Sequence, residues 1–392
     1  MTRLRGRRKQ LRIAWCLLLA FCLSFSTSCR FPGTVRPTVK IGLVAPFEGR
    51  YRYVGYDVIY AVRLAVREAN ASGDASGFGV ELVSYDDRAD PSLAVSQARK
   101  MDVDPQVVGA IGHFRESTTK AALGTYADAQ VPLLVPTALD KDIRQAESAY
   151  TLGPSAHRLA QALLDQAEAV AGDRAVAVLG DGGPLSEALR QQARRQGMPL
   201  AVFSADSDGW QAAVLAQNPG VLLCDLDPVR AGEVVAALRE RGWGGHVLGG
   251  PPLSASDFPS VAGDAAAGAT FVTPWPFPRD VRGGEAFLEA YREVSSGTEP
   301  GPLALPAYEA AWMLLEAVQK AGSAGLPSRD AVAAALFDVE RDGLLGHLTL
   351  GADDASSDLR LFWYRIGTDG APTSIEVESS SAQGSLSERF ER

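Results

Sequence analysis

Short apolar runs alternate with amphipathic segments from residue 39 onward. Residues 39–44 read as a buried strand, 58–69 as an amphipathic helix and 80–85 as a second strand. Asp90-Pro91 starts the next helix, which runs to about residue 101, because the Asp side chain can accept from open N–H groups while Pro fills the first turn at no cost. A strand at 107–111, a helix at 117–127 and a strand at 131–135 complete the first series. A second series repeats the rhythm: helix 159–170, strand 175–179, helix 185–196, strands 200–203 and 221–224, helix 229–241 and strand 246–248. Asp227-Pro228 repeats the capping device of Asp90-Pro91.

Strands that read as continuous apolar runs between helices imply parallel sheets covered on both faces. The pattern predicts two α/β sheet units in series, with the cleft between them as the place for a ligand. After residue 271 helices dominate, at 285–294, 307–321 and 329–336. Strand-like segments return over 344–366 around a polar turn at 352–358. From residue 368 the chain is rich in Ser, Gly and Glu and is expected to be disordered beyond about residue 376.

Ahead of this rhythm, Arg3, Arg5, Arg7, Arg8, Lys9 and Arg12 precede an apolar core at 13–25 that is short for a bilayer span. Ser26-Thr27-Ser28 then lead to Cys29, which resembles the cleavage site of bacterial lipoprotein precursors, with Ser26 where their pattern has Leu. Residues 1–28 are expected to be a signal peptide and Cys29 the lipid-bearing first residue of an extracytoplasmic, membrane-anchored protein. Ordinary cleavage nearby and an uncleaved anchor are the alternatives. Loss of residues 1–28 leaves 32 Lys and Arg against 47 Asp and Glu, a net charge of −15, which disfavours nucleic acid and anionic lipid. It also leaves Cys224 as the one cysteine besides Cys29, so a disulfide scaffold is excluded and Cys224 is expected to be a buried small hydrophobe.

Catalytic patterning is missing. His113, His157, His246 and His347 are scattered, and no HExxH, CxxC or GxSxG spacing occurs. Asp86, Asp87 and Asp90 could suggest a metal site, but a strand end followed by a helix cap explains them more simply. Gly180-Asp181-Gly182-Gly183 lacks the Lys-Ser/Thr partner of a phosphate loop and reads as a tight turn beside the cleft. An enzyme is not expected, nor is a metal or cofactor.

The order and spacing of 41–71, Tyr85-Asp86-Asp87 with Asp90-Pro91, Gly112-His113 before a helix, and 132–136 resemble the extracytoplasmic solute-binding proteins of branched-chain amino acid ABC transporters, over about residues 39–367. The resemblance implies the type I periplasmic binding fold: two Rossmann-like α/β lobes with parallel central sheets, joined by a hinge of three crossings. It places lobe one at 37–150 and 274–340 and lobe two at 151–273 and 341–370, after a linker at 29–36 and before a flexible tail at 371–392. It also implies a monomer that closes around a small polar solute, such as an amino acid derivative or amide, and presents it to a permease. A ligand-sensing regulatory lipoprotein acting on another membrane protein, and an interaction module with a degenerate cleft, remain open beside the importer reading.

Binding residues are expected on loops at strand C-termini: 46–54, 113–119 and 136–140 in lobe one, and 181–186, 225–228 and 249–253 in lobe two. The candidates are Tyr51, Tyr53, Glu116, Ser117, Thr137, Ala138, Asp181, Asp225 and Asp227, with Arg115 a possible donor. By resemblance, the Ser that holds an amino acid carboxylate falls on Glu116, and its partners in the next loop fall on Leu139 and Thr137. The aromatic position falls on Val54, and the lobe-two acid and aromatic fall near Pro252 and Leu185. A Glu in that place opposes a ligand carboxylate, so leucine, isoleucine and valine are expected to bind weakly. Glu116 could instead cap its own helix and point away. Asp225 and Asp227 are readable as ligand acceptors or as strand-end and cap residues. Phe271, Trp275 and Phe277, among prolines at the lobe crossing, are expected to pack the hinge.

Overall fold

The first buried strand, β1 (Thr38–Ala45), has Ile41, Leu43, Val44 and Ala45 fully covered, as a strand flanked by helices on both faces should. In a computed structural model, residues 36–72, 77–350 and 360–377 are described; the expected signal peptide, Cys29 and most of the tail lie outside them. β1 leads to α1 (Arg52–Ala71), β2 (Gly79–Asp86), α2 (Pro91–Asp102), β3 (Val107–Ile111), α3 (Glu116–Asp128), β4 (Leu133–Val135), α4 (Lys141–Arg144) and β5 (Ala149–Thr151). These strands form one parallel sheet of order β2-β1-β3-β4-β5.

Lobe two follows as α5 (Ala156–Ala171), β6 (Val176–Gly180), α6 (Pro184–Gln196), β7 (Leu200–Ser204), α7 (Trp210–Gln217), β8 (Val221–Asp225), α8 (Pro228–Glu240), β9 (His246–Gly249), α9 (Asp257–Ala262) and β10 (Thr270–Thr273). Its parallel strands take the order β7-β6-β8-β9-β10, which repeats the first sheet's order strand for strand. In each sheet the order reverses between the first and third strands, and that switch point is where doubly wound folds bind ligands.

The chain then returns to lobe one with α10 (Gly284–Ser295), α11 (Ala304–Ala321) and α12 (Arg329–Leu336). α11 is apolar on most of its surface and packs against α1 and β3, burying Leu305, Met313, Leu314 and Val318. Gly109 permits the approach, because a Cβ there would lie 2.8 Å from Leu314 Cδ1. The hairpin of β11 (Glu340–Gly343) and β12 (Gly346–Thr349) is tied to α11 by Arg341, whose Nε donates to Glu309 Oε2 at 2.9 Å and whose Nη1 donates to Glu316 Oε1 at 2.5 Å. β13 (Phe362–Ile366) extends the second sheet antiparallel to β10, and β14 (Pro372–Ile375) pairs antiparallel with β13 at the edge.

Two expected boundaries therefore move. Residues 341–350 pack with lobe one, since Leu348 and Leu350 join its core, so the last return to lobe two comes after Leu350 rather than at 341. Residues 372–375 form an edge strand and not tail, because β13 offers them a ladder to pair with. Local pattern also missed α4, α7, α9, β5 and β10, each of eight residues or fewer. Both Asp-Pro caps form as expected: Asp90 accepts from Leu93 N–H at 2.8 Å and Asp227 from Arg230 N–H at 3.2 Å. Cys224 is buried in β8, where burial pushes its thiol up to about 12. Among the described residues no helix is long and apolar enough to cross a membrane.

Candidate functional site

A cavity of about 460 Å³ lies between the C-terminal ends of the two sheets. Lobe one supplies the turns after β3 and β4, and lobe two the turns after β6, β8 and β9. Of the candidates, Tyr53, Glu116, Ser117, Thr137, Ala138, Asp181, Asp225 and Asp227 line it. Tyr51 does not, which corrects its assignment: its ring lies under the Arg115 guanidinium, 3.9 Å from the centroid, and it orients that cavity-lining side chain through the ring's negative face.

Glu116 opens α3, but its side chain leaves its own helix. Oε1 accepts from Leu139 N–H at 2.6 Å and Asp140 N–H at 3.3 Å, in the turn after β4. β3 and β4 are sheet neighbours, which brings α3's first turn beside that loop. Oε2 is shut off from solvent and has no hydrogen-bond partner among the described residues. Burial pushes the Glu116 carboxyl up to about 7, against the two backbone donors; Asp140 raises it further and Lys120 lowers it.

On the opposite wall Asp225 ends β8, and its Oδ2 accepts from Ser186 N–H at 2.8 Å and Ser186 Oγ–H at 2.6 Å. Burial holds its carboxyl above the ordinary range, and neighbouring Asp181 adds to this. Asp227 caps α8 and also accepts from Arg50 in lobe one, at 2.8 and 2.9 Å. It therefore joins the lobes as well as lining the cavity.

Several lining residues went unnoticed in the sequence. Pro302 and Leu303 precede α11 and reach the cavity because the buried Asp57 carboxylate on α1 accepts from Gly301 N–H and Leu303 N–H, both at 2.7 Å. Burial pushes Asp57 up to about 7 in spite of these donors. The contact spans more than two hundred residues, so no local signal announces it. Phe114, Ser254 and Ala255 also line the wall, and Trp275 does so while packing in the lobe-one core. Phe271 and Phe277 instead pack on Tyr364 in the core of lobe two. Asp86, Asp87 and Asp90 are each employed locally: Asp86 accepts from Phe47 N–H, Asp87 pairs with the His113 ring, and Asp90 caps α2.

Residues 38–371 match the family model described as periplasmic binding protein. The chain belongs to the periplasmic binding protein family. The family's members are binding proteins, and this one is a binding protein rather than an enzyme. A leucine-, isoleucine-, valine-, threonine- and alanine-binding protein of Pseudomonas aeruginosa is 25% identical over 308 residues, 73% of this chain and 79% of the relative. Among solved structures, the leucine-binding protein LivK of Thermotoga maritima superposes with a TM-score of 0.76 at 20% identity, covering 86% of this chain and 98% of that one. LivJ of Streptococcus pneumoniae in complex with isoleucine gives 0.72 at 19%, covering 86% and 99%. This periplasmic binding protein thus has the two-lobed α/β fold that its strand pattern announced.

Proposed function

We propose that this periplasmic binding protein is a lipid-anchored extracytoplasmic receptor that captures one small solute between its lobes and hands it to the permease of an ABC importer. The observation that carries this reading is the cavity at the facing switch points of two sheets of identical strand order, with polar groups on both walls. The names of the relatives support amino-acid-type solutes and a transport role. Glu116 argues against the branched-chain amino acids themselves, since a ligand carboxylate beside it would meet like charge in a partly dry site. Lipid on Cys29 would hold the receptor, as a monomer, at the membrane where its permease sits.

Native mass spectrometry of gently purified protein, followed by a thermal-shift screen of amines, amides, amino acids and sugars, tests the receptor reading. A solute at 100 times its Kd should stabilise the fold by about 2.7 kcal/mol. Membrane extraction of the full chain and of Cys29→Ser tests the anchor: only the former should stay in the membrane fraction.

A further inference from the structure

The polar groups of the cavity are unequally matched. Glu116, Asp181, Asp225 and Asp227 line it, and Asp227 already has Arg50 as its partner. Among the described residues Arg115 is the one lysine or arginine in the lining, and it lies over Tyr51. Each wall also leaves a carboxylate oxygen without a hydrogen-bond partner among the described residues. Glu116 uses Oε1 for the Leu139 and Asp140 N–H groups and leaves Oε2 buried and unpartnered. Asp225, half-buried, uses Oδ2 for both Ser186 donors, and Oδ1 has none among the described residues.

The backbone donors that would receive an anion after β4 are thus already filled by the protein's own carboxylate. The first turn of α3 also carries the acidic Glu116, which disfavours a second anion at that helix end. On these walls carboxylates outnumber lysine and arginine, and much of the remaining lining, such as Phe114, Leu139, Leu185, Trp275 and Leu303, is apolar. Resting on the receptor reading, we infer that the solute is a small organic cation without a carboxylate, a primary amine or amidine on an apolar body, drawn into the cavity by the carboxylates of Glu116 and Asp225. Glu116 then acts as a specificity-determining residue: it stands in for a ligand carboxylate and makes the site select the cation that would accompany one.

Matched compounds that differ only in the charged group test this by calorimetry on the soluble domain: isoamylamine against 4-methylpentanoate, and benzylamine or benzamidine against benzoate. At least one cation should bind, tenfold or more tightly than its carboxylate partner. Glu116→Gln should weaken that cation tenfold. Glu116→Ser, which frees the Leu139 and Asp140 N–H groups, should move the preference toward the carboxylate. Asp225→Asn is a second variant with the same expected loss, should Glu116 variants fold poorly. A carboxylate that binds more tightly than its cation partner overturns the solute class and leaves the receptor reading intact, as does unchanged cation affinity in folded Glu116→Gln. Absence of binding by every cation also overturns the class; if native mass spectrometry then finds no co-purified solute, the receptor reading falls with it.

Discussion

Arg50, ahead of α1 in lobe one, donates through Nη2 to both carboxylate oxygens of Asp227, the cap of α8 in lobe two, at 2.8 and 2.9 Å. The pair bridges the lobes at the cavity, where Asp227 is part of the lining and Arg50 is about half exposed.

Breaking this bridge should loosen closure more than folding. Exposed ion pairs contribute about 0.2–1 kcal/mol, so Arg50→Ala should speed ligand release by a few-fold and make it less sensitive to salt, as stopped-flow dissociation would show. Asp227→Ala should cost a further 1 kcal/mol or so of fold stability, because the cap of α8 goes too.

Asp57 should control the shape of the cavity from outside it. Asp57→Ala removes the acceptor for Gly301 and Leu303 N–H and should lower stability by about 2 kcal/mol or more. Gly301→Ala should act through the same contact, because a Cβ there would sit 2.8 Å from Asp57 Oδ2. Both variants should weaken solute binding by displacing Pro302 and Leu303. Equal solute affinity in folded Asp57→Ala would remove Asp57 from any role in the site.

Stability should fall as pH rises from about 4 to about 7. Glu116 and Asp57, ordinarily near 4.5 and 3.8, are both pushed up to about 7, chiefly by burial. The folded chain therefore keeps protons that the unfolded chain has released, and ionisation favours unfolding until the folded groups also titrate. Each carboxyl contributes on the order of 3 kcal/mol across that window, and the loss levels off above it. Urea denaturation over this range should give a declining midpoint, and Glu116→Gln should flatten the slope. Below about pH 4 the sense reverses for exposed carboxyls held low by partners, such as Asp104 beside Lys40 and Glu299 beside Arg292.

The Cys224 thiol should resist alkylation in the folded protein. It is buried and its ionisation is pushed up to about 12 by that burial, so almost no thiolate is present at neutral pH. Mass spectrometry after iodoacetamide should find Cys224 unmodified until denaturant exposes it, and rapid native labelling would contradict the buried placement.

Much of the fold was written locally. Continuous apolar strands between helices, and the Asp90-Pro91 and Asp227-Pro228 caps, depend on neighbours a few residues away, so their periodicity and side-chain chemistry announced them. The loops that line the cavity followed too, because parallel sheets bring strand C-termini to one edge. The short elements did not follow, since three to eight residues carry too little pattern.

What tertiary structure alone decided was the partner of each charged group. Glu116 at a helix start reads equally well as a cap or as a cleft residue. Only the adjacency of β3 and β4 put the Leu139 N–H beside it. Asp57 meets Gly301 and Leu303, and Asp227 meets Arg50, across separations of 177 to 246 residues. The hairpin at 340–349 sits on lobe one because Glu309 and Glu316 hold Arg341 there. A carboxylate's identity is local, but its partner and its burial depend on how distant segments pack, and these determine whether it caps, bridges or binds.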